Sequence, residues 1–206
     1  MKIKICGITN LKDANAAVEY GADILGFVFA KSPRRITPKT AAAIIEGIGP
    51  CVEFAGVFID SPVSMVQKII LECKVNILQF HGDESSEYCD AFRQTHKVFK
   101  AFRIKDKNDL KGLRKYEVDG YLLDTFIKGK IGGTGKAFDW KLAKEAKNIV
   151  NPIVLSGGLN PKNVASAIKI VKPYMVDASS GLEKSPGKKD KRLVERFIRE
   201  VKNATR

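Results

Sequence analysis

Short apolar runs alternate with amphipathic stretches from one end of the chain to the other. The runs Lys2–Cys6, Ile24–Phe29, Phe54–Phe58, Ile77–Phe80, Val98–Phe102, Gly120–Asp124, Ile153–Ser156 and Met175–Asp177 are rich in Val, Ile, Leu and Phe. Several are continuous rather than alternating, the pattern of strands buried on both faces. Between them Leu11–Tyr20, Pro38–Ile48, Val63–Lys74, Ser86–Gln94, Lys107–Lys115, Asp139–Lys147, Pro161–Val171 and Asp190–Asn203 read as helices. Ala14, Ala17 and Val18 fall at helical spacing, as do Ile69, Ile70 and Cys73. Asn10 is placed to cap the first helix, and Thr37-Pro38 and Asn160-Pro161 each join a capping residue to a proline. Gly21 stands where a glycine commonly ends a helix.

Eight such βα units in 206 residues sit at the compact end of the (β/α)₈ TIM barrel range, as one α/β domain spanning residues 1–206. A doubly wound open sheet alternates in the same way. The count of eight, and polar residues gathered after many strand ends rather than beside one crevice, favour closure.

Composition narrows the classes. No apolar run approaches the roughly 18 residues of a membrane span, and the first residues lack the apolar core of a signal peptide. Cys6, Cys51, Cys73 and Cys89 are widely spaced with no CxxC, which points to reduced thiols in a cytoplasm. The formal net charge of +13 raises the question of a nucleic-acid partner. The basic residues are scattered, and the denser clusters at Lys97–Lys115 and Lys184–Arg192 read as solvated surface. No nucleic-acid partner is expected; such a charge also draws in a small anionic substrate.

In a closed barrel all strands end on one face, where active sites form. The strand ends here carry Cys6, "AKSPRR", "IDSP", His81-Gly82, Arg103, Asp124, "SGGL" and "DASSG". The last two loops suit a phosphate: Gly157 and Gly158 permit close backbone approach, and Ser179, Ser180 and Gly181 can start a short extra helix. Taken singly, either loop reads as a plain turn. Of Arg34 and Arg35, one is positioned to hold a carboxylate bidentately. Cys6 and Asp124 are the acid–base candidates. As a base Cys6 must ionise, with its pKa lowered by nearby arginines and the first helix; as an acid Asp124 must hold a proton, favoured by burial. The plainer reading of Cys6, and the one adopted for Cys51, Cys73 and Cys89, is a small buried hydrophobe. His81 is either a structural histidine or a ligand contact. No Cys/His spacing suits a metal, and none is expected.

The segments "KICGIT", "GADILGFVF", "SPRRIT", "GVF", "QFHGDE", "LLDT", "GGTGKAFDW", "LSGGLNPKNV" and "VDASSGLEKSPGKKD" occur in order from residue 4 to residue 190. Together they resemble the phosphoribosylanthranilate isomerase family of tryptophan biosynthesis. The resemblance implies a barrel without a cofactor, working on a small phosphosugar, as a monomer or homodimer. The implied reaction is the Amadori rearrangement of N-(5'-phosphoribosyl)anthranilate. By resemblance Cys6 is the general base, Asp124 the general acid, and Arg34 the anchor for the anthranilate carboxylate. His81, Gly157, Gly158, Asp177, Ser180 and Gly181 complete the implied substrate contacts. One rival is an isomerase serving histidine intermediates as well, which the thiol at position 6 argues against. Another is a non-catalytic, basic, phosphate- or RNA-binding barrel, which an acid–base pair at the mouth argues against.

Overall fold

The computed structural model describes residues 1–125 and 140–206. The strands are β1 (Lys2–Cys6), β2 (Ile24–Val28), β3 (Glu53–Phe58), β4 (Ile77–Phe80), β5 (Lys97–Ile104), β6 (Gly120–Thr125), β7 (Ile153–Leu155) and β8 (Met175–Ala178). They pair in chain order as a closed barrel, all parallel, with β8 returning to β1 through Lys4↔Asp177. The helices are α1 (Leu11–Tyr20), α2 (Pro38–Ile48), α3 (Val63–Cys73), α4 (Ser86–Arg93), α5 (Trp140–Lys147), α6 (Val164–Val171) and α7 (Lys191–Ala204). After β8, a 3-10 turn at Ser180–Leu182 leads into a small hairpin of β9 (Glu183–Ser185) and β10 (Lys188–Lys189). The expected glycine-rich loop at residues 129–135, and the first residue of the helix expected from Asp139, lie outside the described residues.

Local chemistry accounts for most boundaries. Asn10 accepts the Asp13 N–H, Thr37 accepts the Thr40 N–H, and Gly21 closes α1 with a left-handed φ of 107°. Two expectations change. The fifth helix is a 3-10 segment, Asp109–Lys115, anchored by buried Leu110 and Leu113. Anchors three residues apart match a three-residue turn, and Gly112 between them weakens an α-helix. At Asn160-Pro161 the side chain caps a turn, accepting the Lys162 N–H, and α6 starts only at Val164.

Side chains alternate across each strand, so the barrel has two apolar compartments. Ile5, Leu25, Phe27, Phe58, Leu78, Leu123 and Val176 face the helices. Ile24, Ala55, Ile77, Phe99, Ala101, Leu122, Val154 and Met175 form a separate cluster inside the barrel. Gly120 serves this inner packing: a Cβ there would meet the Phe99 ring at 2.5 Å. Above that apolar floor the inward positions turn polar, with Lys4, Gln79 and Asp177 all buried.

Outside the barrel, Lys100 and Glu84 are both buried and lie 3.2 Å apart. Glu84 also accepts the N–H groups of Gly82 and Asp60, and Lys100 donates to the Gly82 carbonyl. This pair ties the loops after β3 and β4 together and so sets the position of His81. Removing one partner of a buried pair strands the other charge, at a cost of about 3–5 kcal/mol. Glu84→Ala is therefore expected to lower the urea unfolding free energy by about that amount. A loss under about 1 kcal/mol, the level of an exposed pair, would contradict this account.

Candidate active site

Cys6 is the last residue of β1 and is 7% exposed at the barrel mouth. Its inward direction follows from the pleat that also points Lys4 inward. Space for the sulfur comes from β2, where Gly26 pairs with Cys6 in register. A Cβ at Gly26 would lie 2.8 Å from Sγ. The chain then turns at Gly7, whose φ of 75° is left-handed, and the Arg34 side chain lies across it. Val28 and Val57 complete an apolar collar around the thiol.

Asp124 ends the inward row of β6 and is 8% exposed. His81, just past β4, bridges it to Gln79: Nε2 lies 3.1 Å from Asp124 Oδ2, and Nδ1 lies 3.0 Å from Gln79 Nε2. Buried Gln79 and Asp124 thus engage the two ring nitrogens, so Gln79 holds the His81 ring and His81 orients Asp124.

Arg34, from the loop after β2, forms a two-point pair with Glu183 through Nε (2.8 Å) and Nη2 (2.7 Å). Glu183 is also held by Lys189 Nζ at 2.9 Å. Burial pushes the Glu183 carboxyl up, yet the two cations bring it below its ordinary range. Arg34 is raised by the same pairing. Glu183 thus holds the guanidinium through Nε and Nη2.

The loops after β7 and β8 meet. Gly157 and Gly158 have left-handed φ values of 79° and 68°, and Gly181 packs so closely that a Cβ would meet the Leu159 carbonyl at 2.2 Å. Ser180, Gly181 and Leu182 form one 3-10 turn beside them, where a short extra helix was expected.

A model of the N-(5'phosphoribosyl)anthranilate (PRA) isomerase family matches residues 3–200. The chain belongs to this isomerase family. N-(5'-phosphoribosyl)anthranilate isomerase of Geobacter sulfurreducens is 47% identical over 203 residues, covering 98% of each chain. The phosphoribosyl anthranilate isomerase structure from Thermotoga maritima superposes with a TM-score of 0.91 at 40% identity, covering 98% of this chain and 99% of that one. Another structure is of monomers generated from that dimeric enzyme. A further isomerase structure, in complex with reduced 1-(o-carboxyphenylamino)-1-deoxyribulose 5-phosphate, superposes with a TM-score of 0.88 at 39% identity, over 98% and 99% of the two chains.

Within this member of the isomerase family, several sequence expectations need revision. Burial pushes the Cys6 thiol up rather than down, and the opposing cations are Lys4 and Lys189 instead of arginines. Asp177, expected as a substrate contact, keeps Oδ1 without a hydrogen-bond partner among the described residues, while its Oδ2 lies 3.0 Å from Lys4 Nζ. Cys51 is exposed on the turn after α2, not buried. Cys73 and Cys89 are buried as expected, and burial raises their thiols to about 11 and about 12. Gln79, Glu183, Lys189, Lys4 and Gly26 were not among the expected site residues. No set of three or more His, Cys, Asp or Glu side chains suited to a metal occurs among the described residues.

Gly26 yields a direct test. Gly26→Ala forces the Cys6 sulfur or the β1–β2 pairing to move, and overpacking of this kind costs about 1–3 kcal/mol. The thermal midpoint should fall by about 2–4 °C for each kcal/mol. An unchanged midpoint would mean that the close approach to Sγ constrains nothing.

Proposed function

We propose that this isomerase converts N-(5'-phosphoribosyl)anthranilate to 1-(2-carboxyphenylamino)-1-deoxyribulose 5-phosphate with Asp124 as general acid and Cys6 as general base. The observation that carries the assignment is that these two side chains end inward rows of β1 and β6 at the same mouth of a closed barrel. The relative solved with a reduced deoxyribulose phosphate supports the same substrate class.

The chemistry follows from the substrate. Asp124 gives a proton to the furanose ring oxygen while the amine nitrogen donates its lone pair, so the C1–O bond breaks and an iminium forms. The Cys6 thiolate takes the C2 proton, and the C–H electron pair becomes the C1=C2 bond as the iminium nitrogen is neutralised. The resulting enolamine tautomerises to the ketone. The nitrogen of the substrate serves as the electron sink. His81 keeps the acid pointed at the ring, since its Nε2 holds one carboxylate oxygen in place.

Binding is assigned to flanking groups. Arg34 offers its remaining N–H donors to the anthranilate carboxylate while Glu183 holds the guanidinium in plane. The backbone at Gly157, Gly158, Ser180 and Gly181 receives the phosphate. Asp177 Oδ1 has no hydrogen-bond partner among the described residues, which supports a contact to a sugar hydroxyl. None of the described helices is long and apolar enough to cross a membrane. Four free thiols support placement in a reducing cytoplasm. The dimeric Thermotoga relative supports a homodimer for this chain.

Cys6→Ala and Asp124→Asn should each lower kcat by at least about 10²–10⁴-fold, the usual contribution of a positioned acid or base, with the circular dichroism spectrum unchanged. Wild-type turnover in Cys6→Ala would remove the base assignment. Arg34→Ala should act mainly on KM, because Glu183 keeps Lys189 as a partner. An unchanged KM would remove the carboxylate contact.

A further inference from the structure

The proposed base sits in an unfavourable place for an anion. Cys6 is buried among Val28 and Val57, and burial alone pushes its thiol up. Below it, two residues back along β1 and on the same inward face, Lys4 is wholly buried. Its Nζ lies 3.0 Å from Asp177 Oδ2 on the neighbouring strand β8, where the two residues are paired in register.

A merely structural role accounts poorly for this pair. The floor beneath is filled by Ile24, Ile77, Leu122 and Met175, and such residues would fill the same volume. Replacing a buried ion pair by well-packed hydrophobes is often neutral or stabilising. A lysine and a carboxylate directly under a thiol have a different use.

We infer that Lys4 is a positioning residue for catalysis: held in the barrel interior by Asp177, it supplies the positive charge against which the Cys6 sulfur ionises. The inference rests on the reading of Cys6 as the base. The charged groups facing Cys6 come from every side: Lys4 on its own strand, Asp177 on β8, Lys189 on β10, and Arg34 from the loop after β2. Glu183 stands behind Arg34 and Lys189 and engages both. Burial pulls Lys189 below its ordinary range despite Glu183, whereas Lys4 stands above its own. Lys4 is the foremost of the groups that draw the thiol down, ahead of Lys189, while Asp177 opposes them. Asp177 in turn keeps Lys4 protonated despite its burial.

The charge on Lys4 is what the test reads. Thiolate absorbance of the full-length protein is titrated in the ultraviolet against a Cys6→Ser reference, in a Cys51→Ser background that removes the exposed thiol. Lys4→Met should move the Cys6 titration upward by about 1–3 pH units, the scale of one nearby charge. Lys4→Arg, which keeps the charge, should leave it near its wild-type position. The acid limb of kcat/KM should move in the same direction as the thiol in each variant. A side chain that only fills space would lower thermal stability without moving the titration. The inference is overturned if a folded Lys4→Met leaves the titration in place. It is equally overturned if a folded Lys4→Arg moves the titration upward as far as Lys4→Met does. Should Lys4→Met fail to fold, Lys4→Gln takes its place and is judged by the same direction. Full turnover in Cys6→Ala is a separate result: it removes the reading of Cys6 as base, whereas the titrations judge Lys4.

Discussion

Closure of the sheet is the constraint on which the rest of this molecule depends. Once eight parallel strands meet in a ring, every second side chain must share one enclosed space, and none can turn to solvent except at the ends. The chain meets that constraint in two ways. Low in the barrel it supplies branched and aromatic side chains, with Gly120 yielding room for the ring of Phe99. Higher up it supplies polar side chains that satisfy one another across strands: Lys4 with Asp177, and Gln79 through His81 to Asp124. The change from apolar to polar along the barrel axis separates the part that holds the fold from the part that does chemistry.

The same closure explains why the proposed acid and base are supported so differently. Asp124 is oriented by hydrogen bonds, because an acid must present one oxygen to a fixed point in the substrate. Cys6 sits in an apolar collar with Lys4 as a hydrogen-bonding partner beneath it. Its environment acts through charge, from Lys4 below and from the Arg34–Glu183–Lys189 cluster at the side. That cluster also joins the loop after β2 to the hairpin after β8, so substrate recognition and the electrostatics of the base share components.

Much of this was legible in the residues. The eight units, the caps at Asn10 and Thr37, and the strand-end positions of Cys6 and Asp124 followed from period, turn chemistry and residue type, whereas the choice of Arg34 over Arg35 came from the family resemblance. Lys4 was not legible, for a physical reason. In "KIKIC" the lysines alternate with apolar residues, and a strand with one wet face has the same signature. Lys2, at the open end, is partly exposed, whereas Lys4 is sealed. Only ring closure distinguishes them. Gln79 was hidden inside the apolar run "ILQF", and Glu183 pairs with a residue 149 positions away. Cys51 was read as buried because free cysteines usually are, but it falls on a turn with no helix or sheet to cover it. Residue types at strand ends announce chemistry; the partners that tune them come from elsewhere in the chain.

A thiol is well suited to this mouth for a reason that its collar makes plain. The base must be charged before it takes the C2 proton and uncharged afterwards. A carboxylate would satisfy the first state, balancing the charge on Lys4. Once protonated it would become a larger polar acid with stronger hydrogen-bonding demands, set against Val28 and Val57. A protonated cysteine behaves as a small hydrophobe with weak hydrogen-bonding demands. In its protonated state Cys6 is therefore accommodated by the apolar collar, and in its ionised state by the charge on Lys4. The two environments meet at one sulfur atom because Gly26 leaves it the room to touch both.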